Sequence, residues 1–274
     1  MPNNSIRIEP LTRHIGAEIH GLDLRQPLTG ESFEIVHRAL LDNLVVFFRD
    51  QDLTHDQHVA MGSQFGELHI HPSAPCVDDR PELMKIHADD TTPFAEGTHW
   101  HSDVSCDAQP PMGSILRLTT LPEVGGDTIF ASMYAAYDAL SDALKAFLDP
   151  LTALHTGRIY EGRYEPIGGG PRREYEENEH PVIRTHPETG RKAIYVSAPF
   201  TDHIVGLKSS ESDVILKFLY QHCANTEFQC RFKWEENSVA FWDNRCVQHL
   251  ATWDYYPQTR SGVRVTIKGD TPFH

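Results

Sequence analysis

Three side chains form a candidate metal set. His101 and Asp103 flank Ser102 in the stretch Thr98-His99-Trp100-His101-Ser102-Asp103. On an extended backbone, residues i and i+2 point to the same side. An imidazole and a carboxylate would then face one way from a span of three residues. Taken alone, such a tripeptide is common by chance. His249 lies far along the chain, after the apolar run Ser238-Val239-Ala240-Phe241-Trp242 and a turn-like Asp243-Asn244. A histidine placed just past a buried strand can face the mouth of a barrel. Two histidines and one carboxylate suit non-haem Fe(II) and leave coordination positions open. The same set can also hold zinc with one open position.

Two arginines follow. Arg260 lies eleven residues after His249, and Arg264 four residues later. In Arg260-Ser261-Gly262-Val263-Arg264 they share strand parity, so both can face one pocket. A guanidinium grips a carboxylate or sulfonate through two parallel hydrogen bonds. A pair of surface arginines on an edge strand would give the same spacing. Thr128, after Gly125-Gly126-Asp127, offers a hydroxyl donor, although a threonine here also satisfies simple β-propensity.

The elements that must hold these residues are short and strand-rich. The runs SIRIEPLT, GAEIHG, LVVFFRD, LHIHP and ELMKIHA read as strands in the first third. THWHSDV, GSILRLTTL and DTIFAS follow, punctuated by Pro110-Pro111 and Gly125-Gly126. VIRTHPETGRKAIYVS reads as two strands about a Glu-Thr-Gly turn, and EFQCRFKW, SVAFWDN and GVRVTIKGD as strands near the end. Helices are expected over Glu31–Asn43, from a Thr54 cap to a stop at Gly66, over SMYAAYDALSDALKAFLD to Pro150, and from Ser209 to about Ala224. Strands in short pieces with tight turns, without alternating βαβ units, predict a mostly β sandwich or barrel with flanking helices. Residues 155–180 are polar and carry Gly168-Gly169-Gly170, which predicts a long lid loop.

Composition narrows the classes. The 274 residues carry 39 acidic and 24 basic side chains, a formal charge of −15. That balance argues against a general nucleic-acid binder or a protein docking on anionic lipid. No run approaches the 18 or so apolar residues of a membrane span. The start, MPNNSIRIEP, lacks a charged-then-apolar leader, so a cytoplasmic location is expected. The five cysteines are widely spaced without a CxxC pair and read as reduced thiols.

Taken together and in order, the pieces resemble the taurine dioxygenase family of Fe(II)- and 2-oxoglutarate-dependent oxygenases. They are FGELHIHP (65–72), HWHSD (99–103), PPMGSILRLTTLPEVGGDTIFASMYAAYDAL (110–140), HPVIRTHPETGRKAIYV (180–196), FTDHIVGL (200–207) and WDNRCVQHLATWDYYPQTRSGVRVTIKGD (242–270). The resemblance spans nearly the whole chain. It implies one domain over residues 1–274 with a double-stranded β-helix, or jelly-roll, core. It implies that His101, Asp103 and His249 bind iron, and that Thr128 and Arg260 hold the distal carboxylate of 2-oxoglutarate, the cosubstrate used with O2. Retention of Asp103 favours hydroxylation, because related halogenases lack this carboxylate.

For the substrate, the resemblance assigns His71 and Arg264 to an anionic group and Phe200 to an apolar wall. Ala74 and Gly97 stand where taurine-hydroxylating members carry a tyrosine and an asparagine. Loss of those polar partners argues against a short amino-sulfonate. The expected substrate is a small anionic aliphatic molecule, a sulfonate or an alkyl sulfate ester, with release of sulfite or sulfate and a role in sulfur metabolism. The alternative within the class is a carboxylate, such as an aryloxyalkanoate or a natural-product precursor. A zinc hydrolase would have no need of the Thr128–Arg260 clamp, and a non-catalytic binding protein would be expected to lack a ligand. His99 and His155 read as ordinary surface or loop histidines, and Trp100 and Trp242 as core packing beside the metal ligands. By analogy, a dimeric or tetrameric homo-oligomer is expected.

Overall fold

The run Val45-Val46-Phe47-Phe48 is apolar at every position because its strand is buried on both faces. Val45 and Phe47 join one core cluster, and Val46 and Phe48 join another. The same alternation recurs in neighbouring strands. Leu116 and Trp242 point into the first core, Ile115 and Phe241 into the second. A central sheet with two covered faces follows from this pattern.

The computed structural model describes residues 6–71, 74–161 and 175–274. In chain order the elements are β1 (Arg7–Pro10), β2 (Ala17–His20), α1 (Glu31–Asn43), β3 (Val45–Phe48), α2 (His55–Ser63), β4 (Leu68–His69), β5 (Cys76–Val77), β6 (Arg80–Ala88), β7 (Gly113–Thr120) and β8 (Thr128–Ser132). Then come α3 (Met133–Asp138), α4 (Asp142–Leu148), β9 (Thr152–Thr156), β10 (Glu177–Pro181), β11 (Ile183–Thr185), β12 (Lys192–Ile194) and β13 (Thr201–Ile204). The chain closes with α5 (Ser209–Cys223), β14 (Gln229–Phe232), β15 (Val239–Asp243), β16 (Val247–Ala251) and β17 (Arg260–Ile267).

The main sheet runs β1-β2-β3-β15-β7-β17-β6-β5, with β4 also on β17. All its ladders are antiparallel except β2 with β3. A smaller sheet, β14-β8-β16, faces it across the first core. Phe47 of β3 stacks on Phe232 of β14 with ring centroids 3.9 Å apart, joining the two layers. Truncating such a buried aromatic costs about 3–5 kcal/mol. On the outer face of the main sheet, Val36, Ala39 and Leu40 of α1 and Met61 of α2 cover the second core. Two further small sheets, β10-β9-β13 and β11-β12, join the first core through Ala153, Ile183, Ile194 and Ile204.

The mostly β expectation holds, with α1 and α2 where they were predicted. Thr54 caps α2 through a capping box with Gln57. That helix ends at Ser63, before the expected Gly66 stop. The single helix expected before Pro150 is two helices. Ser141 accepts from the Leu144 amide and starts α4 afresh, because a serine oxygen competes well for a backbone N–H at a cap. The expected strand at THWHSDV is absent. Only His101 pairs there, as an isolated bridge to His249, and turn structure follows it with Val104 at φ +43°. The lid expectation over 155–180 meets β9 at one end and β10 at the other, and these two strands pair. Its middle, residues 162–174, lies outside the described residues.

Candidate active site

His249 sits on β16, paired to Phe130 of β8. His101 is stitched to it by two main-chain hydrogen bonds, His101 N to His249 O at 3.1 Å and His249 N to His101 O at 2.8 Å. The imidazole centroids are therefore only 4.1 Å apart. Asp103 arrives by a different route from the strand parity expected of it. Ser102 Oγ donates to the Asn244 carbonyl at 2.6 Å, and Asn244 Oδ1 accepts from the Asp103 amide at 3.3 Å and from Trp242 Nε1 at 2.9 Å. Ser114 of β7 donates to Asp103 Oδ2 at 2.7 Å and accepts from Asn244 Nδ2 at 3.0 Å. A buried Asn–Ser–Trp knot thus fixes the turn. Sequence reasoning missed Ser114 and Asn244 because nothing local distinguishes them. The only hint was a polar Asn244 directly after an apolar strand.

Asp103 Oδ1 faces His101 Nε2 at 3.7 Å and His249 Nε2 at 3.9 Å. The three donor atoms all lie within 4.8 Å of one another. That spacing lets one ion of about 2.0–2.2 Å bond length reach all three donors. His101 Nδ1 lies 2.7 Å from the His99 carbonyl, so that nitrogen carries the proton and Nε2 keeps its lone pair. Burial pushes both imidazole pKa values down, His249 well below its ordinary value. Burial alone would raise the Asp103 carboxyl. Arg264, the two histidines and Ser114 outweigh it and hold the carboxyl well below the usual carboxylate range. Two neutral imidazoles and one carboxylate form a donor set fit for a divalent ion.

Arg260 and Thr128 meet in the lining of the same pocket. Arg260 is buried on the first residue of β17 and donates from Nε to the Gly126 carbonyl at 2.8 Å and from Nη2 to Thr128 Oγ1 at 3.2 Å. Thr128 Oγ1 also accepts from Trp234 Nε1 at 3.0 Å. With both lone pairs engaged, the Thr128 hydrogen is left to donate. Among the described residues, no carboxylate lies within ion-pair distance of Arg260. The nearby Asp127 pairs with Arg231 at 2.6 Å. Burial lowers the Arg260 pKa, and a buried cation in this position calls for an anion.

His71, Phe200 and Arg264 complete the set. All eight residues expected at the site line one cavity of about 720 Å³. His71 Nδ1 accepts from the Ala74 amide at 2.9 Å, which puts the ring proton on Nε2. Burial, with the Arg264 charge, pushes its pKa down to about 3, so it acts as a neutral donor. Phe200 packs on Tyr160, centroids 5.7 Å apart. Arg264 Nη1 lies 2.7 Å from Asp103 Oδ1, a direct link between the expected anion site and the metal set. Gly97 also lines the cavity, at φ +75°. A Cβ there would sit 3.5 Å from His101 Cε1, in ordinary contact, but the positive φ strains an L side chain, so the position suits glycine and leaves space in the cavity.

Two histidines depart from expectation or qualify it. His155 is a fully buried residue of β9, 3.0 Å from Ser105 Oγ, and not a surface or loop histidine. His99 is exposed, as expected, but lies along the cavity wall. Trp242 is buried against His249, centroids 4.7 Å apart, as expected of core packing.

The family model for the taurine catabolism dioxygenase TauD, TfdA family matches residues 7–266. The chain belongs to that family. It is a 2-oxoglutarate-dependent dioxygenase of the TauD/TfdA family with the double-stranded β-helix fold. It is similar to the crystal structure of a taurine dioxygenase from Burkholderia xenovorans, with 42% identity and a TM-score of 0.84 over 98% of this chain and 92% of that one. It also resembles a solved structure of AAD-2 in complex with Mn(II) and N-oxalylglycine, with 30% identity and a TM-score of 0.81 over 98% and 99% of the two chains. An alpha-ketoglutarate-dependent sulfate ester dioxygenase of Pseudomonas putida is 34% identical over 97% of this chain and 90% of its own length. Membership of the TauD/TfdA family brings 2-oxoglutarate and O2 as cosubstrates. Among the described residues, no helix is long and apolar enough to cross a membrane.

Proposed function

We propose that this chain is a single-domain Fe(II)- and 2-oxoglutarate-dependent oxygenase that hydroxylates a small anionic aliphatic substrate, a sulfonate or an alkyl sulfate ester. Hydroxylation at the carbon bearing the sulfur or sulfate group gives an unstable adduct that releases sulfite or sulfate. His101 Nε2, Asp103 and His249 Nε2 would hold the metal and leave positions open. Bound Fe(II) supplies the oxygen chemistry, coupling decarboxylation of 2-oxoglutarate to hydroxylation of substrate. Arg260 and the Thr128 hydroxyl bind the distal carboxylate of 2-oxoglutarate, and Arg264 with His71 Nε2–H grips the substrate anion. Phe200 and Tyr160 wall off water from the apolar part.

The observation that carries this reading is the buried Arg260, without a carboxylate partner among the described residues, beside a threonine hydroxyl that can only donate. A zinc hydrolase would have no use for that clamp. The relatives named for taurine and for sulfate esters support a sulfur oxyanion at Arg264. Taurine itself is disfavoured, because Ala74 and Gly97 offer no side-chain partner to its amine.

The test is succinate formation with Fe(II), ascorbate and 2-oxoglutarate across a panel of sulfonates, alkyl sulfates and carboxylates. Sulfite or sulfate appearing in step with succinate is expected. Stimulation by a carboxylate alone would replace the proposed substrate with the carboxylate class. Restoration of activity by Zn(II) and not by Fe(II) would sink the reading altogether.

A further inference from the structure

Arg264 is more than nine-tenths buried, yet its guanidinium is served unevenly. Nη1 donates to Asp103 Oδ1 at 2.7 Å. That oxygen is the one that faces both His101 Nε2 and His249 Nε2. Among the described residues Nη2 has only the Met84 thioether, at 3.1 Å, and a thioether is a weak acceptor. Nε is buried with no acceptor among the described residues. Nε and Nη2 form one edge of the guanidinium, two parallel N–H groups matched to an oxyanion. Arg264 and Met84 both line the cavity, and the Nη1 corner of the guanidinium rests on the metal-set carboxylate.

We propose that Arg264 is a positioning residue that couples the substrate's anionic group to the metal, holding the anion on its Nε–Nη2 edge and Asp103 on Nη1. The proposal rests on the anion and metal sites of the preceding section and adds the coupling between them. Without an anion, the full guanidinium charge bears on Asp103 Oδ1. It weakens that oxygen as a donor and repels a dication beside it. An oxyanion on the far edge offsets the charge, and Asp103 recovers its donor strength. Metal and substrate anion therefore bind cooperatively. Linkage requires each to raise the other's affinity by the same factor, of the order of tenfold for couplings of this kind. The metal centre is then held most firmly once the substrate's anion is in place.

The test is calorimetric titration with Co(II), a metal that avoids Fe(II) oxidation, at saturating 2-oxoglutarate, with and without hexyl sulfate, hexanesulfonate or hexanoate. For the wild type, a saturating anion is expected to lower the Co(II) dissociation constant about tenfold. Saturating Co(II) is expected to tighten anion binding by the same factor. Arg264→Lys keeps the charge but cannot serve both sides from one ammonium. The coupling should shrink to within about twofold while Co(II) still binds. Ser114→Ala removes the other Asp103 hydrogen bond, and the coupling should persist.

If an anion binds the wild type without changing Co(II) affinity, the relay is wrong while the anion site stands. Full coupling retained in Arg264→Lys would also overturn the relay, in favour of direct attraction between anion and metal. If none of the three anions binds the wild type, or all bind Arg264→Lys and Arg264→Gln as tightly as wild type, the anion site itself has been misplaced.

Discussion

Among the described residues two groups of metal-donor side chains occur, the largely buried His101–Asp103–His249 and the fully buried His186–Asp243–Cys246, each with atoms within 4.8 Å of one another. Their surroundings differ. In the second group every strong partner is internal. Asp243 Oδ1 accepts from Arg245 N and Nε at 2.9 and 2.8 Å, and Oδ2 from Arg245 Nη2 and His186 Nε2 at 2.6 and 3.0 Å. Arg245 Nη1 continues to Glu188 at 2.7 Å, and His186 Nδ1 accepts from the amides of Glu188 and Thr189. Burial pushes the Cys246 thiol well above its ordinary pKa, so it stays protonated and is a poor ligand. In the first group the balance fails. Among the described residues, Arg260 has no carboxylate within ion-pair distance, and Arg264 Nε and His249 Nδ1 have no acceptor. A polar cluster that closes on itself is a brace. One left short of partners is shaped for something that arrives later.

The comparison is open to attack at both ends. The largest expected effect is at the first group. His101→Ala should abolish bound iron, measured by elemental analysis after anaerobic loading. It should cut succinate formation by more than the roughly 100-fold that loss of an outer-shell partner costs. His186→Ala should leave the metal content at wild-type level, and a drop there would make the second group a ligand site as well.

Next comes the brace. Asp243→Ala strips a buried arginine of its main partner and should cost about 3–5 kcal/mol in denaturant unfolding, with metal stoichiometry intact. A smaller effect follows at the clamp. Arg260→Ala should weaken 2-oxoglutarate binding by about 2–3 kcal/mol, roughly 30- to 150-fold, read as the KM for 2-oxoglutarate. Its thermal midpoint should hold or rise, because the residue removed is a buried cation without a counter-ion among the described residues. An unchanged KM would remove Arg260 from the cosubstrate site.

The smallest per-group effect is in pH. Burial pushes the pKa of His58 down to about 4 and those of His71 and His155 down to about 3. Below the unfolded value of 6.5 the unfolded chain takes up protons that the folded rings refuse. Stability should therefore fall as pH drops from 6.5 towards those values, by about 1.4 kcal/mol per pH unit for each ring. Urea unfolding at pH 7.5, 6 and 5 measures this. A flat response would mean that the rings protonate in place.

Much of the site was legible by residue type and order, and the reasons for success and failure are local. Strand parity at Arg260 and Arg264 worked because β17 is a long strand paired on both sides, so both residues line the cavity. The same argument at His101 and Asp103 reached the right neighbours through the wrong geometry. The backbone turns after His101, and contacts from Ser114 and Asn244, far along the chain, carry Asp103 into place. Long-range hydrogen bonds leave no periodic trace in a sequence. Neither does the choice of Trp234 to cap Thr128, which left the donor role of that hydroxyl unreadable until the fold was known. The helix before Pro150 failed for a simpler reason. Its apolar spacing continues through Ser141, where a side-chain cap overrides periodicity.

The two main-chain hydrogen bonds between His101 and His249 have a consequence for how the protein matures. The frame that spaces the two imidazoles is built from amides, which every residue type possesses, and it sits within a sheet packed by its own core. The polypeptide can therefore finish folding before any ion is bound, unlike small zinc domains that have no fold without their metal. Loading becomes a separate and later event. Copper and zinc outrank iron in intrinsic affinity for nitrogen and oxygen donors. If iron is the working metal, as proposed above, the share of working molecules would be decided by which metals are on offer in the interval after folding, and growth medium would become a determinant of specific activity.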